Sequence, residues 1–423
     1  MAWISVASGV VVAWAALLAG RSLLLSWSAH RAANHEHRRH REALLERLQQ
    51  ASSAAPRSRA SATAWQGPRK LVVQRKIREG EGICSFHLVP QDGKGLPPFR
   101  PGQFLTFDLR LPDTDSRLVR CYSLSDAPDT ERYRVTIKKI PPPDSEPGLP
   151  SGRSSSFFVD SVNEGDALDV RAPRGAFYLN EASHRTAVFV AGGIGVTPLH
   201  SMFRSMARGH SEQNGFFFHG VRDSSEHALR DELREIARDH PRLKLLTCYS
   251  RPLPGDVAGL DYDREGRIDV DWLQEVLPCP GSFPDAEFYI CGPGPLMKSM
   301  TEGLAEWGVP EPLIHFEAFG PASIRETSAR GPARTATNAG SRVRFARSGK
   351  TAIWSVGIES LLDLAEQTGV AIDSGCRAGN CGTCETRLQS GTVTYEHPPE
   401  AEAAPGNCLA CVAVPNGDIV LDA

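Results

Sequence analysis

The chain opens on an apolar run. Residues 4–20, ISVASGVVVAWAALLAG, carry no charge, and beyond Arg21 the apolar character resumes in SLLLSW. At about 1.5 Å per residue, a helix reaching Trp27 crosses a hydrocarbon layer of roughly 30 Å, with Arg21 near one end able to snorkel. An N-terminal membrane helix is expected over residues 1–28, the alternatives being a helix in the membrane interface or an apolar tail buried on the protein. No Lys or Arg precedes the run, which argues against a cleavable signal peptide. The following 30-HRAANHEHRRHRE-42 is rich in Arg, and the positive-inside rule then places everything downstream in the cytoplasm. Its histidines (His30, His35, His37 and His40) leave open a metal site beside a solvated juxtamembrane face that meets anionic headgroups.

Residues 29–66 are this basic segment and a linker, the stretch 51-ASSAAPRSRASATAWQ-66 being small, polar and low in complexity. From 67 to 181, short alternating runs such as QFLTFDLRL, YRVTIKKI and ALDVRAP are broken by Pro and Gly, the pattern of an antiparallel β-barrel. From 182 to 320, apolar strands alternate with helical periods: AVFVA then PLHSMFRSMARG, GFFFHGV then SEHALRDELREIARD, LKLLTCYS, EFYICG then PLMKSMTEGLAEWG, and LIHFEAF. That alternation predicts an α/β doubly wound parallel sheet with ligands at the strands' carboxyl ends. A second linker, 321–341, precedes a compact α+β module over 342–423, read as a strand, one helix (SLLDLAEQTG), a cysteine loop and two more short strands.

Composition narrows the classes. A formal net charge of −3 over 423 residues gives no bulk argument for nucleic acid, and no nucleic-acid partner is expected. Ten cysteines at this length are not disulfide-scaffold density and fit a reducing compartment.

Three of those cysteines crowd into 374-SGCRAGNCGTC-384. Cys376, Cys381 and Cys384 have the spacing C-x4-C-x2-C, and Cys411 follows in 406-GNCLACVA-413, which is the plant-type [2Fe–2S] spacing. A cluster held by four thiolates is anionic and its sulfurs seek backbone N–H donors. Gly375, Gly379 and Gly382 let the loop wrap closely and adopt positive φ, and Arg377 offsets charge. Structural zinc on Cys381-x2-Cys384 and Cys408-x2-Cys411 is the rival, but leaves Cys376 without a role. On the cluster reading Cys408 is a buried neighbour. Residues 342–423 resemble the ferredoxin-type iron–sulfur domain, which implies a β-grasp fold.

In 120-RCYSLS-125, alternation puts Arg120, Tyr122 and Leu124 on one strand face and Ser123 on the other. Alone this is an ordinary barrel strand. Upstream, 100-RPGQFLTF-107 supplies a Pro-Gly turn into a strand; downstream, 152-GRSSSFF-158 puts Gly and three Ser before a short helix, an arrangement suited to a pyrophosphate. In this order the pieces resemble the flavin and nicotinamide domains of the ferredoxin–NADP reductase superfamily over about residues 67–320. The resemblance implies Arg120 on the flavin phosphate, Tyr122 and Leu124 against the flavin, and the Ser123 hydroxyl near the N5 that accepts hydride. It also implies Gly152 and Ser155 on the phosphates, and Phe319, in 317-EAFGP-321, stacked where nicotinamide enters. GRSSS followed by RAPRGAFYL looks more like flavohaemoglobin reductase domains than phthalate dioxygenase reductase, which favours FAD over FMN.

The turn 192-GGIGVTP-198 follows the first strand of the predicted parallel sheet. Gly192, Gly193 and Gly195 permit approach of a pyrophosphate to the helix N-terminus, and Thr197 adds a hydroxyl. A second turn, 291-CGPGPLM-297, brings Gly292 and Pro293; by resemblance it faces the nicotinamide, with Cys291 beside the hydride-transfer site unless that thiol is simple packing. Arg222, Ser250 and Arg251 could take a 2′-phosphate, favouring NADPH over NADH, or be exposed loop residues.

The resemblance implies a catalytic set of Ser123, Cys291 and Phe319 in an NAD(P)H-dependent reductase. NAD(P)H gives hydride to the flavin, which passes single electrons to the [2Fe–2S] cluster and on to an external acceptor. The order flavin–nicotinamide–ferredoxin is similar to the phthalate dioxygenase reductase type, whose members serve oxygenases, hydroxylases and desaturases. Two alternatives stand. The flavin subunit of sodium-translocating NADH:quinone reductase has its ferredoxin module before the flavin domain, unlike this chain; a redox sensor would have little use for intact flavin and nicotinamide motifs.

Overall fold

The computed structural model describes residues 65, 67–111, 117–142, 151–209, 213–279, 284–319 and 340–423, apart from 356, 378, 380, 396–398, 400 and 402. The expected membrane helix over 1–28, the histidine run and most of both linkers lie outside the described residues. Among the described residues no helix is long and apolar enough to cross a membrane.

The first sheet takes in β1 (Arg69–Gly80), β2 (Ile83–Pro90), β3 (Phe104–Arg110), β4 (Arg117–Ser123), β5 (Tyr133–Lys138) and β6 (Ala167–Arg174). Their order is β4-β3-β6-β1-β2-β5, all antiparallel, and a bridge from Leu124 to Val135 draws the two ends together into the expected barrel. Alternation along β3 and β5 fills the interior with Leu105, Phe107, Tyr133 and Val135, packed against Phe86 and Phe158. The serines of GRSSS do not precede a helix but form one, α1 (Arg153–Ser156), which runs straight into a π-helical turn over Phe157–Ser161. The buried Phe158 explains the extension, since its ring meets Phe86, Phe107 and Tyr122 edge-on and holds the turn to the barrel.

The second sheet comprises β7 (Thr186–Gly192), β8 (Gly215–Val221), β9 (Leu243–Tyr249), β10 (Arg264–Glu265), β11 (Ala286–Gly292) and β12 (Ile314–Ala318). All its pairs are parallel, in the order β10-β9-β8-β7-β11-β12. The order reverses between β7 and β11, and the crevice beyond their carboxyl ends is where such a sheet binds ligands. The helices are α2 (Val196–Arg208), α3 (Arg230–Asp239), α4 (Val270–Val276) and α5 (Gly294–Glu306). SEHALRDELREIARD was read as one helix but breaks in two: the Asp223 carboxylate accepts from the Ser225 N–H to set a 3-10 turn, and Leu229 at φ 57° blocks its continuation into α3.

The third sheet comprises β13 (Arg342–Phe345), β14 (Lys350–Ile353), β15 (Glu385–Tyr395), β16 (Asn407–Leu409) and β17 (Ala413–Leu421), in the order β14-β13-β17-β15-β16. It packs on α6 (Leu361–Gln367), whose N-terminus is capped by the Ser360 hydroxyl accepting from the Asp363 N–H. The sheet has more strands than the sequence reading of this module.

Charged side chains fasten the barrel to the α/β sheet. Arg134 on β5, 3% exposed, reaches Glu232 of α3 at 2.5 Å and donates to the Ser125 carbonyl; Arg204 on α2 pairs with Glu232 and, at 2.9 Å, with Asp126. Burial pushes the Glu232 carboxyl up, but His200, with Nε2 3.4 Å away, and the hydrogen bonds from Arg134 outweigh it and hold the group well below its ordinary 4.5. A carboxylate depressed in the folded state stabilises the fold above that ordinary value, and the contribution is lost as pH falls through the folded one. Removing one partner of a buried pair strands the other charge, so Glu232→Ala should cost about 2–3 kcal/mol and lower the thermal midpoint by roughly 5–10 °C at pH 7. Scanning calorimetry should show the gap to the wild type narrowing as pH drops below 4.5.

Candidate functional site

A cavity of about 510 Å³ opens where β4 meets its neighbours, within the range of a large cofactor site. Its walls include Arg120, Tyr122 and Ser123 of β4, Gly152 and Ser155 at α1, and Phe319 beyond β12. The structure thus gathers most of the residues expected around the flavin. Leu124 is the exception, fully buried in the barrel core behind them.

Burial pushes the Tyr122 phenol up to about 12, so it keeps its proton; it shares a 2.8 Å hydrogen bond with the Ser154 hydroxyl and meets Phe107 and Phe158 edge-on. The ring is thereby fixed before any ligand arrives. The Ser155 hydroxyl donates to the Gly152 carbonyl at 3.0 Å and accepts from the Ile140 N–H at 3.1 Å, so it shapes the turn it occupies. Arg120 donates to the Val119 carbonyl at 2.7 Å, and its pKa is lowered first by burial and then by the charge of Arg377. Arg120, Lys138, Arg153 and Arg377 on the walls outnumber the one wall carboxylate, Glu317, although Lys138 is paired with Glu226 at 2.7 Å and Arg377 with Glu366. That excess of positive charge suits the diphosphate of FAD.

The sequence reading missed Glu317. The Ser123 hydroxyl donates to its carboxylate at 3.1 Å, with both residues buried. Glu317 stands opposite Cys291 in the parallel register of β12 on β11, so adjacent strands deliver a carboxylate to the cavity and a thiol behind it. Cys291 is fully buried in the α/β core, and burial first, then Glu317, pushes its thiol well up. It is not among the residues lining the cavity.

The two glycine turns pack on each other. A β-carbon at Gly195 would collide with the Cys291 carbonyl, and one at Gly192 would lie 2.7 Å from Pro293 and from Leu296. These two positions are required by contact between the turns. Gly193, at φ 52°, has open space where its side chain would be and is the one of the three that a ligand can approach. His219 supports it from beneath: burial lowers its pKa to about 4, and Nε2 lies 3.2 Å from the Gly193 carbonyl. The 3-10 turn Gly193–Gly195 leads straight into α2 and has no side-chain cap; Val196 N–H is taken by the turn's carbonyls, so the N–H groups of the turn itself are the ones suited to an anion such as a dinucleotide pyrophosphate. The Thr197 hydroxyl donates to the Ile194 carbonyl at 3.1 Å, and the residue lines the flavin cavity.

Arg222, Ser250 and Arg251 come together beyond β8 and β9, joined by backbone hydrogen bonds from Ser250 to Val221 and from Arg251 to Arg222. The Arg222 guanidinium is exposed but already shared with Asp223 at 3.3 Å and Glu226 at 3.8 Å.

In the third sheet's module, none of the cysteines forms a disulfide. The Cys376 N–H donates to Cys381 Sγ and the Cys381 N–H to Cys376 Sγ, each at 3.3 Å, while Cys384 and Cys411 Sγ lie 3.1 Å apart. The thiols therefore fall into two pairs, as a binuclear cluster needs. Among the described residues no three Cys, His, Asp or Glu side chains gather as one mononuclear ion would require. Cys408 sits at zero exposure in the module core, its thiol pushed up to about 12 by burial. Gly379 and Gly382 adopt φ of 75° and 70°, whereas Gly375 is needed for close approach: its β-carbon would sit 2.9 Å from Cys381 Sγ. Arg377 takes the left-handed region at φ 56° and is held there by Glu366 of α6, so its charge is shared.

A feature not foreseen in the sequence joins these centres. Gly375, Cys376 and Arg377 of the cluster loop form part of the flavin cavity wall.

Profiles of three domain families match the chain: the oxidoreductase FAD-binding domain over residues 69–178, the oxidoreductase NAD-binding domain over 189–302 and the 2Fe–2S iron–sulfur cluster binding domain over 345–416. The chain is 38% identical over 264 residues to a flavohemoprotein of Halalkalibacterium halodurans, covering 62% of each. It therefore spans about three fifths of that relative's length. The solved structure of phthalate dioxygenase reductase, described as a modular structure for electron transfer from pyridine nucleotides to [2Fe–2S], is matched at 28% identity and a TM-score of 0.52, over 84% of this chain and 98% of that one. The FAD/NAD-binding domain of nitric oxide dioxygenase from Vibrio cholerae matches at 26% identity and a TM-score of 0.53, over 60% of this chain and all of that domain.

The packing of the glycine turns gives a test. Gly195→Ala forces the 192–195 and 291–293 turns apart and should cost about 2 kcal/mol or more. Gly255→Ala, at a position with open space, should leave the thermal midpoint within a degree of the wild type. Equal midpoints for the two variants would refute the packing argument.

Proposed function

From the premise that this chain belongs to the ferredoxin–NADP reductase superfamily and carries a C-terminal 2Fe–2S ferredoxin domain, we propose that it takes electrons from NAD(P)H and delivers them one at a time to an oxygenase, hydroxylase or desaturase partner. When bound, FAD accepts an electron pair from the nicotinamide and the [2Fe–2S] cluster carries single electrons, which is the chemistry the two cofactors supply. The chain's own residues do the rest. Arg120 and Arg153 offer charge to the flavin diphosphate, and Tyr122, already fixed by Ser154 and Phe158, offers a flat wall. The Ser123 hydroxyl, oriented by Glu317, is held at the cavity surface where the flavin ring and nicotinamide would meet, with Phe319 covering that position. Gly193 and the uncapped 3-10 turn leading into α2 receive the nucleotide's pyrophosphate, with Arg222, Ser250 and Arg251 towards its adenosine end. Cys376, Cys381, Cys384 and Cys411 hold the cluster.

One observation carries the reading: the loop bearing Cys376 is itself a wall of the flavin cavity, so no other protein need bridge the two centres. The choice of partner rests on a domain order shared with phthalate dioxygenase reductase.

Cys381→Ser tests the division of labour. A hard alkoxide is a poor substitute for a soft thiolate on iron, so the cluster should be lost or crippled. The barrel and the α/β sheet bury their own cores, so flavin bleaching by NAD(P)H and ferricyanide reduction should persist while cytochrome c reduction falls at least tenfold. Arg120→Ala should do the converse, losing flavin and every NAD(P)H-dependent activity while the cluster's colour stays. Intact cytochrome c reduction in Cys381→Ser would mean that electrons leave by another route.

The apolar run at 4–20 and its Arg-rich flank support attachment to a membrane by a single helix over 1–28, with the catalytic domains cytoplasmic. Deleting residues 1–50 should yield a soluble protein with undiminished NAD(P)H–ferricyanide activity. Release of the full-length protein from membranes by high salt or carbonate alone would overturn the spanning helix.

A further inference from the structure

The strand that lines the flavin cavity also reaches the cluster loop. Between Arg120 and Tyr122 lies Cys121, a residue with no place in the flavin reading. Its sulfur and that of Cys381 in the cluster loop border the same small gap, the one left at Gly375. The contact is close because Gly375 has no side chain: the space its β-carbon would fill is bounded by Cys381 Sγ at 2.9 Å, Thr383 Oγ1 at 3.2 Å and Cys121 Sγ at 3.5 Å. Behind Cys121, on β3, the buried Thr106 hydroxyl lies 3.5 Å from its sulfur. A relay therefore runs from Thr106 through Cys121 to Cys381, crossing from the barrel to the iron–sulfur module.

Cys381 Sγ has other donors within its own loop, the Cys376 N–H at 3.3 Å and the Thr383 hydroxyl at 3.2 Å. Cys121 differs in coming from another domain. It also differs from the four ligand cysteines in its setting, since Arg120 and Tyr122 on either side tie its backbone to the flavin cavity. A thiol there lies near a sulfur of high electron density, that of Cys381, with Thr106 to support it from the other side.

We propose that Cys121 is a positioning residue for electron transfer, donating its S–H to the iron-bound sulfur of Cys381 and so raising the reduction potential of the [2Fe–2S] cluster while the module is seated on the flavin cavity. The inference rests on the function proposed above. Hydrogen bonds to cluster sulfurs offset the negative charge that grows on reduction, and they are among the levers that set iron–sulfur potentials. The bond forms only across the interface between barrel and module, so the cluster's readiness to accept an electron becomes a property of the assembled chain.

The test is a redox titration of the full-length protein followed by the electron paramagnetic resonance of the reduced cluster. Cys121→Ala should retain the wild-type spin count but move the midpoint to more negative potential, a shift worth about threefold in the equilibrium constant for cluster reduction, as expected for the loss of one modest hydrogen bond. Cys121→Ser, which restores a donor at the same place, should bring the midpoint back towards the wild type. If Cys121→Ala fails to load a cluster, Thr106→Val decides: loss of the supporting hydroxyl should shift the midpoint the same way by a smaller amount, and an unchanged midpoint overturns the relay. A fully loaded Cys121→Ala with the wild-type midpoint overturns the proposal while leaving the reductase reading intact. A wild-type protein with no [2Fe–2S] signal overturns that reading and this proposal together.

Discussion

Strand β4 is where the molecule is most constrained, because three consecutive side chains are claimed by three different parts of the chain. Ser123 is bound by Glu317 from the end of the parallel sheet, Tyr122 by the serine-rich turn of its own barrel, and Cys121 lies against the iron–sulfur loop. At the end of its sheet order, the strand has a ladder partner on one side only, apart from the bridge at Leu124. The other side is left for the cavity and what borders it. Moving β4 by one residue in register would dissolve all three attachments at once.

The barrel and the parallel sheet meet differently from the way either meets the iron–sulfur loop. Arg134, Arg204, Asp126 and Glu232 form a charged junction in which Arg134 is almost wholly out of water. Such a junction adds less stability than an apolar one of equal size, but it tolerates few alternative arrangements, since any shift leaves a cation unpaired. Flavin and nicotinamide sites are thus held at a fixed mutual geometry. The iron–sulfur loop borders the same cavity through glycine, sulfur and Arg377, whose own partner Glu366 lies within its module.

Much of this was legible in the sequence where one physical cause fixed the pattern. Alternation in QFLTFDLRL and YRVTIKKI marked barrel strands because the apolar alternate positions of each fill the barrel interior, and C-x4-C-x2-C marked the cluster because ligand spacing is set by iron chemistry. Legibility failed where the cause was tertiary. The strand Glu385–Tyr395 carries no apolar period, since most of its side chains are exposed and its ladder to β17 holds it. Glu317 looked like one more acidic residue in EAFG until the register of β12 put it beside Ser123. The glycines at 192 and 195 were read as room for a ligand, but their neighbours are the turn at 291–293, and only Gly193 faces open space. Cys121 gave no signal, because its neighbour Cys381 lies more than two hundred residues away in the chain, across a linker.

The mutual packing of those two turns bears on how such a protein can change over evolutionary time. With the backbone of Gly195 pressed on the carbonyl of Cys291, and Gly192 wedged between Pro293 and Leu296, neither turn can accept a side chain unless the other retreats. A drift towards a new nucleotide preference is therefore closed at this end by single steps. It is open at the far ends of β8 and β9, where Arg251 stands exposed in a loop and Arg222, though exposed, shares its charge with the buried Asp223. The invariant half of the coenzyme would be read by a rigid lock of two turns, and the variable half by residues free to be exchanged.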